Sequence, residues 1–319
     1  MSAIQRRLRF LGRRFDRGAG TPLSRNREIP VTDAELQARL AAYEVGWPPG
    51  HFYSPVPSLH EVATREDRIF VASPPGLPGI DLNVARQLEL LEEFSAFSTT
   101  MPFTATPAEG MRYYFENENF RYGEAIVLYS MIRMLRPKRI VEVGSGYSSC
   151  ATLDTSDRFF GGAIQCTFVE PHPELLLSLL HPGDDAQIDI VERLVQDVEM
   201  DVFTRLEPND ILFIDSSHVT KVGNDVNYLY LEVLPRLAPG VRVHIHDVPY
   251  PFEYPMDWVY GGRGWNEAYL LRAFLSFNSV YEIEFFNSYL AQFHSEAFHS
   301  YLPLAAGNPG SSIWLSRRR

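Results

Sequence analysis

Two groups of polar residues in this 319-residue chain stand where they could carry out chemistry. The first group is the segment Val141-Glu142-Val143-Gly144-Ser145-Gly146-Tyr147-Ser148-Ser149, which follows an apolar run. Glycine tolerates a tight turn and lets the backbone approach a ligand where a Cβ would collide. Glu170 ends the next apolar run, and a carboxylate at that position can accept hydrogen bonds from the two hydroxyls of a ribose. The spacing therefore predicts a nucleoside-like ligand on this loop.

The residues of the loop separate two classes of ligand. Dinucleotide-binding loops follow the pattern GxGxxG and seat a pyrophosphate at the helix N-terminus. Here Ser149 stands in the place of the third glycine, and Glu142 adds an acid that would repel a pyrophosphate. S-adenosylmethionine (SAM) has no phosphate and carries two cationic groups, so an acidic loop favours SAM over NAD. A glycine-containing turn with no ligand is the structural alternative.

The second group consists of Asp215, His218, His246 and Asp247. Asp215 ends one apolar run and Asp247 follows another, so both are expected at the carboxyl edge of a sheet, where doubly wound folds bind ligands. His244 and His246 share one face of their strand because side chains alternate with a period of two. His246 or His218 could act as a general base, although a histidine near a strand end is more often structural.

Short apolar strands separated by helices must bring these groups together. The predicted strands are residues 139–143, 166–170, 188–192, 210–215 and 241–247, with two more at 281–286 and 311–316. Nearly continuous apolar strands indicate a parallel sheet covered on both faces. The expected fold class is α/β, a Rossmann-like doubly wound, mostly parallel seven-stranded sheet with an irregular N-terminal extension.

Three regions of the chain differ in amino-acid composition and in their pattern of apolar residues. Residues 1–30 are rich in arginine and are predicted to be a basic, disordered tail, although an organelle-targeting peptide fits the same composition. Residues 31–120 are interrupted by proline and glycine, with helices expected near 32–44 and 83–98, and are predicted to form a cap on the substrate side. Residues 121–319 are predicted to be the SAM-binding domain.

Composition limits the partners and the compartment. A net charge of −11 argues against nucleic acid and anionic membranes as partners. No apolar run is long enough to span a membrane. Cys150 and Cys166 fit neither a disulfide framework nor a structural zinc site, which favours a reducing, cytoplasmic setting. The arginine-rich start does not fit a secretory signal.

The segment VEVGSGYSS resembles motif I of class I SAM-dependent methyltransferases, and FVEP resembles their second motif. Residues 110–290 are similar to a largely uncharacterised bacterial branch of that superfamily, related to macrocin O-methyltransferase and the cephalosporin-hydroxylase-like proteins. The resemblance implies that the methionine end of SAM lies against the glycine loop, the ribose on Glu170 and the adenine near the turn after the third strand. The cofactor-binding residues expected on this basis are Glu142, Gly144, Ser145, Gly146, Tyr147, Ser148, Glu170, Gln196, Asp197 and Asp215.

The same resemblance implies a possible metal-binding site at the ends of the fourth and fifth strands. In the macrocin-type relatives, carboxylates at the ends of the fourth and fifth strands bind a divalent cation that holds vicinal oxygens of the substrate. Here the fifth strand ends in His-Asp, and Mg²⁺ prefers oxygen ligands. A site formed by Asp215, His246 and Asp247 would suit Mn²⁺, Fe²⁺ or Zn²⁺ better. A metal-free site, in which His246, His218 and Asp215 are catalytic, is equally compatible with the sequence.

Several neighbouring residues have weaker signals. Asn224 and Asp225 are predicted to cap a helix. Aromatic residues could form a lid over the substrate, and three residues before the first strand could face the same pocket. The lid candidates are Tyr250, Tyr254, Trp258 and Trp265, and the pocket candidates are Arg112, Tyr113 and Asn117.

The function predicted from the sequence is methyl transfer from SAM to an oxygen nucleophile of a small molecule, such as a sugar or a secondary metabolite, with or without a divalent metal ion. The alternatives are a metal-dependent oxygenase or hydrolase on the same fold, an NAD-linked oxidoreductase or epimerase, and a non-catalytic SAM-binding protein. The expected partner is the small-molecule acceptor, and the sequence leaves homo-oligomerisation open.

Overall fold

Seven strands form one mixed sheet in the order β3-β2-β1-β4-β5-β7-β6. Neighbouring strands from β3 to β5 are parallel, and β7 is antiparallel to both β5 and β6. The strands are β1 Arg139–Val143, β2 Gln165–Val169, β3 Asp189–Val191, β4 Ile211–Ile214, β5 Arg242–Ile245, β6 Tyr281–Phe286 and β7 Ile313–Arg317. The predicted mostly parallel, seven-stranded α/β fold is confirmed.

The computed structural model describes residues 47–319. The sheet belongs to a compact unit that spans Leu59–Arg319. The predicted basic tail 1–30 and the helix predicted near 32–44 lie outside the described residues. Within the part of the chain that the structure describes, no helix has both the length and the hydropathy needed to cross a membrane.

Helices connect the strands and cover the sheet. They are α1 Leu59–Ala63, α2 Glu66–Ile69, α3 Val84–Ser98, α4 Tyr122–Leu135, α5 Tyr147–Phe160, α6 Glu174–Leu179, α7 Asp201–Thr204, α8 Asp225–Tyr228, α9 Met256–Tyr260, α10 Glu267–Leu275, α11 Asn287–Phe293 and α12 Ser295–Tyr301. A π-helical segment, Leu229–Val233, and a 3₁₀ turn, Leu234–Arg236, continue α8. Further 3₁₀ turns are Asp184–Ala186, Val195–Asp197 and Pro303–Ala305.

Two 14-residue helices beside the sheet, α4 and α5, show why these sequences fold as they do. α4 is apolar around most of its circumference and is buried over eleven of its fourteen residues. Such a helix belongs inside a protein rather than on its surface. It ends at Arg136, which adopts a left-handed conformation immediately before Pro137. α5 follows the glycine loop and ends at Gly161, whose left-handed φ of +62° is the usual helix C-terminus.

Arg112 does not face a pocket, contrary to the prediction. Its guanidinium lies 2.8 Å from Asp154, 2.8 Å from Asp157 and 2.6 Å from Asp184, and only 7% of its side chain is exposed. The network joins the segment before α4 to α5 and to the 3₁₀ turn 184–186. Tyr113 is also fully buried, and its hydroxyl donates to the carbonyl of Phe120. These residues hold the fold together because their charges and hydroxyls are satisfied internally.

Asn117 is likewise a structural residue. Its side-chain oxygen accepts from the N–H of Phe120 at 2.7 Å, and its nitrogen donates to the carbonyls of Tyr114 and Phe120. This closes the turn that leads into α4. Asn117 therefore shapes the chain beside the site without facing it.

Arg112→Ala is expected to lower the free energy of unfolding by roughly 3–5 kcal/mol, because it leaves buried Asp154 and Asp184 without their cation. Urea denaturation followed by circular dichroism measures the change. The matched control is Arg86→Ala, which removes a partly exposed pair with Glu89 and Glu93. The control should change stability by less than about 1 kcal/mol. Equal effects of the two substitutions would contradict the structural role assigned to Arg112.

Candidate functional site

The glycine loop turns sharply between β1 and α5 and touches the end of β4. Gly144 has a φ of +82°, in the left-handed region that glycine tolerates best. A Cβ built on Gly144 would lie 1.8 Å from the carbonyl oxygen of Asp215, so only glycine fits here. The N–H of Gly144 donates to Val169, and that of Asp215 donates to Val143. The loop is thereby fixed to the strand end that carries Asp215.

Glu142 lies beneath this loop and is fully buried. Its Oε1 accepts hydrogen bonds from the hydroxyls of Ser148 at 2.5 Å and Ser149 at 3.0 Å, in the first turn of α5. Burial raises the pKa of Glu142 to about 8, although the two serine hydroxyls oppose the shift. Glu142 and Ser148 therefore support the loop from inside the protein, and at neutral pH the carboxyl group is largely protonated.

Two polar atoms of the loop have no partner of their own. The second carboxyl oxygen of Glu142 and the hydroxyl of Ser145 are both buried, and neither makes a hydrogen bond within residues 47–319. Buried polar groups are almost always paired in folded proteins. These two atoms mark the loop as a place where a polar ligand could bind.

Glu170 holds the loop from the side of β2. Its Oε2 accepts the N–H of Ser145 at 3.2 Å, and its Oε1 accepts the N–H of His172 at 2.8 Å. The side chain is half-buried. Beyond it, the side-chain nitrogen of Gln196 donates to the carbonyl of Gly223 at 3.0 Å. These contacts bring Gln196 to the chain that follows β4, on the same edge of the sheet as Glu170.

Tyr147 and Asp197 stand at the margins of this edge. Tyr147 begins α5, and its hydroxyl lies 3.3 Å from that of Tyr114. Asp197 closes the 3₁₀ turn after β3 and is exposed. The structure thus collects the predicted cofactor residues along one edge, with Glu142, Gly146 and Ser148 buried and the others at least partly accessible.

The four residues of the second group meet where β4 and β5 end. Nδ1 of His246 lies 3.4 Å from Oδ1 of Asp215 and 3.7 Å from Oδ1 of Asp247. Nε2 of His218 lies 3.3 Å from Oδ1 of Asp215 and 3.8 Å from Oδ2 of Asp247. Both imidazoles are about 93% buried. These distances place the two histidines on either side of a pair of carboxylates. We call these four residues the His–Asp cluster.

Two buried glutamates that the sequence analysis missed contact the outer sides of these rings. Oε2 of Glu267, the first residue of α10, lies 2.9 Å from Nδ1 of His218. Oε1 of Glu124, in the first turn of α4, lies 3.1 Å from Nε2 of His246. The available signal was an acid within an apolar helical run, Tyr122-Gly123-Glu124-Ala125. Only tertiary packing reveals which histidine each glutamate contacts.

The charges of the cluster shift one another's pKa values. Burial lowers the pKa of His218, but hydrogen bonding to Asp215 and Glu267 outweighs it and raises the pKa to about 9. Burial also lowers the pKa of His246, yet Glu124 and the two aspartates raise it well above its usual value. Burial acts to raise the pKa of Asp215, but the histidines hold it well below its usual range. The surrounding carboxylates therefore favour the protonated form of both imidazoles.

A cavity of about 620 Å³ opens onto the His–Asp cluster. Asp215, His246 and Asp247 line its floor together with Glu124, and Trp258 and Trp265 line a wall. Its remaining lining residues are Glu118, Asn119, Arg121, Arg263 and the loop Gly307–Ser311. The size and the mixture of aromatic and polar walls suit a small organic molecule.

Two of the four residues predicted to form an aromatic lid line the cavity. Trp258 and Trp265 line the cavity, and the guanidinium of Arg263 lies over both rings, 4.4 and 4.8 Å from their centroids. Tyr250 and Tyr254 are 6% and 3% exposed and belong to the core instead. Their large apolar rings are satisfied by packing against other aromatic residues.

The helix-capping prediction is wrong for the side chain of Asn224 but holds for Asp225, whose Oδ1 accepts the N–H of Val226 in the first turn of α8 at 2.9 Å. The Asn224 side chain makes no cap hydrogen bond to α8, but donates to the hydroxyl of Ser217 and to the carbonyl of Val219. Asp225 accepts both the N–H and the hydroxyl of Ser217. Both residues therefore fix the loop that presents His218.

Comparison with known proteins agrees with this geometry. A sequence model of the family described as "Methyltransferase domain" matches residues 141–248, from the glycine loop to the His–Asp cluster. A protein of Archaeoglobus fulgidus is 37% identical over 175 residues, which are 53% of this chain and 78% of that protein. The chain belongs to the class I SAM-dependent methyltransferase superfamily.

Solved structures resemble the chain more distantly. The Podospora anserina methyltransferase PaMTH1 with bound S-adenosylhomocysteine is 14% identical, with a TM-score of 0.41, over 94% of this chain and all of that chain. The O-methyltransferase TomG of Streptomyces achromogenes with SAM is 14% identical, with a TM-score of 0.39, over 81% and 96%. CmcI is 16% identical, with a TM-score of 0.41, over 70% and 84%.

The buried acid of the superfamily's first motif makes stability depend on pH. The pKa of Glu142 is raised from 4.5 to about 8 in the folded chain, so between these values the folded state keeps a proton that the unfolded state releases. Its contribution to the free energy of unfolding therefore falls as pH rises through this window, by roughly 1.4 kcal/mol per pH unit.

Glu142→Gln should remove this dependence because the amide stays neutral. The free energy of unfolding of the variant, minus that of the wild type, is expected to increase from pH 5 to pH 8, as measured by urea denaturation. Glu174→Gln, an exposed acid on α6, is the control and should track the wild type. A constant difference across the range would mean that Glu142 is ionised in the folded chain.

Proposed function

We propose that the chain transfers the methyl group of SAM to an oxygen nucleophile of a small molecule, such as a sugar or a secondary metabolite. One observation carries the proposal: the glycine loop and the polar cavity meet at Asp215. The backbone of Asp215 packs against Gly144, while its side chain lines the cavity. A methyl donor on the loop would therefore lie beside an acceptor in the cavity, at the carboxyl edge where such folds bind ligands.

The residues of the loop fit SAM. The unpaired oxygen of Glu142 and the hydroxyl of Ser145 offer hydrogen bonds to the ammonium and carboxylate of its methionine part. Glu170 is half-buried beside the loop, and its two oxygens accept the N–H groups of Ser145 and His172. The same oxygens would accept hydrogen bonds from the ribose hydroxyls of bound SAM. The side-chain oxygen of Gln196 is also buried without a hydrogen bond, so Gln196 is the candidate partner for the adenine, beside the exposed Asp197.

The protein's task on the acceptor side is alignment and removal of a proton, because SAM itself supplies the electrophile. Asp215 is ionised and accessible from the cavity, so it can accept a hydrogen bond from an acceptor hydroxyl and orient its oxygen. His246 and His218 lie within 3.4 Å of the same carboxylate and, when neutral, can take the proton. Carboxylates and imidazoles that can accept the proton of a hydroxyl favour an oxygen acceptor.

A divalent metal ion, when bound, would draw two oxygens of the acceptor together and lower their pKa values. Asp215, His246 and Asp247 are the residues that would hold it. Neither nitrogen of His246 makes a hydrogen bond of good geometry within residues 47–319, although carboxylates lie beside both, which fits such an ion.

The chain is expected to bind SAM and S-adenosylhomocysteine and to ignore NAD and NADP. Ser149 stands where a pyrophosphate-binding loop has its third glycine, and Glu142 adds a carboxyl group before the first glycine. Isothermal titration calorimetry of the full chain with each ligand tests this. Tighter binding of NAD than of SAM would contradict the proposal.

Glu170→Ala should weaken SAM binding by roughly 10- to 100-fold, since hydrogen bonds to a charged group contribute about 1.5–3 kcal/mol. Glu170→Gln should fall between the wild type and the alanine variant, because the amide keeps one acceptor but loses the charge. Glu174→Ala, which removes an exposed acid four residues away, should leave the affinity unchanged. A well-folded Glu170→Ala variant with unchanged affinity would overturn the placement of the ribose.

A further inference from the structure

One wall of the cavity consists of Trp258, Arg263 and Trp265. The rings of the two tryptophans lie 5.5 Å apart at an interplanar angle of 79°, so they form a corner. The guanidinium carbon of Arg263 lies in this corner, 4.4 Å from the centroid of Trp258 and 4.8 Å from that of Trp265. Aromatic rings attract a guanidinium through their negative faces. The cation is thereby held in one place although its side chain is exposed.

The backbone between the two tryptophans folds back so that the arginine meets both rings. The N–H of Arg263 donates to the carbonyl of Trp258 at 3.1 Å, and that of Gly262 donates to Val259 at 3.1 Å. Gly262 has a φ of +84°, which glycine adopts without steric cost. The turn after α9 therefore sets the position of the arginine through main-chain hydrogen bonds.

No carboxylate of residues 47–319 forms an ion pair with this cation. Arg121, which lines the same cavity, also lacks an acidic partner there, and its Nε donates to the carbonyl of Asn117. Acids are plentiful in a chain with 40 acidic and 29 basic residues, so their absence at this wall leaves it positive. Stacking uses the face of a guanidinium and leaves the N–H groups of its edge free. Those donors form a planar fork that matches a carboxylate or a phosphate.

The floor of the cavity has the opposite charge. Glu124, Asp215 and Asp247 line it, and carboxylates accept hydrogen bonds from hydroxyl groups but repel an anion. The floor adjoins the corner, because the ring of Trp265 lies 4.4 Å from that of His218, whose Nε2 lies 3.3 Å from Asp215. One small molecule can therefore place hydroxyl groups on the floor and an anionic group at the corner.

We propose that the acceptor of the methyl group carries a carboxylate or a phosphate, and that Arg263 binds this anionic group in the corner formed by Trp258 and Trp265. The bound anion orients the acceptor so that its hydroxyl groups face Asp215 and Asp247. Hydroxylated acids and sugar phosphates combine these groups, whereas a neutral sugar lacks the anion. The assignment of the corner to the acceptor rests on the proposed methyl transfer, but anion binding there is measured without any reaction.

Fluorine NMR of the full chain labelled with fluorotryptophan reports on the corner directly, and Trp258→Phe and Trp265→Phe assign its two signals. Trp314 is fully buried in the core and provides the internal reference. Titrations with glucuronate, glucose 6-phosphate and glucose compare a carboxylate, a phosphate and the same ring without a charge. At least one anion is expected to shift the signals of Trp258 and Trp265 and to bind about tenfold more tightly than glucose. The anion that binds more tightly identifies the group.

Arg263→Gln should remove this preference, so that both anions bind no more tightly than glucose. Arg263→Lys should keep part of it, because lysine retains the charge but lacks the planar fork. Arg236→Gln is the matched control and should bind the anions like the wild type. Arg236 pairs with Glu232 and lies in the turn that leads into β5, at the opposite edge of the sheet from the cavity. Melting temperatures identify any variant that fails to fold.

Signals of Trp258 and Trp265 that respond to neither anion would overturn the proposal. Anion binding that Arg263→Gln leaves unchanged would also overturn it, as would equal affinities for glucose and for both anions. S-adenosylhomocysteine affinity is measured on the same preparations. A chain that binds an anion at the corner but does not bind S-adenosylhomocysteine would contradict the proposed methyl transfer alone.

Discussion

The contact between the backbone of Gly144 and the carbonyl of Asp215 is the constraint on which the rest of the site depends. The two residues follow neighbouring parallel strands, so the loop after β1 must cross the end of β4. A side chain at residue 144 would occupy the position of that carbonyl. The absence of a Cβ therefore lets the glycine loop lie directly against Asp215, the residue that also lines the cavity. In the proposed reaction, this one close approach would set the distance between the methyl donor and the acceptor.

Below this edge, alternate residues of β4 and β5 share one face of the sheet, and they form the core there rather than the site. Phe213 and Asp215 lie on one face of the chain through β4, and His244 and His246 lie on the paired face through β5. His244 is fully buried, stacks on Phe213 with ring centroids 3.9 Å apart and contacts Trp314 at 4.8 Å. Burial holds its pKa well below the usual value, so it remains neutral. It acts as an aromatic spacer, and two residues later the same face becomes the His–Asp cluster.

The sequence alone was sufficient for the sheet and for the glycine loop, because both depend on local patterns. Apolar runs gave the strands to within three residues, and the acids at their ends gave the edge where Asp215 and Asp247 meet. Glu124 and Glu267 could not be found in this way, since each contacts a histidine that is distant in the sequence. Arg112 was assigned to the pocket for the same reason: its three aspartate partners, up to 72 residues away, are brought together only by packing.

Long-range packing also sets the direction of the carboxylate that reaches His246. The N–H of Ser311, 187 residues away in the sequence, donates to Oε1 of Glu124 at 3.0 Å. A Cβ on Gly310 would lie 2.2 Å from Cγ of Glu124, so the loop before β7 presses directly on the side chain. That same oxygen faces His246, and the loop also lines the cavity. The orientation of the imidazole at the end of β5 therefore depends on a glycine that precedes the last strand, which makes the C-terminal segment part of the site rather than an edge of the sheet.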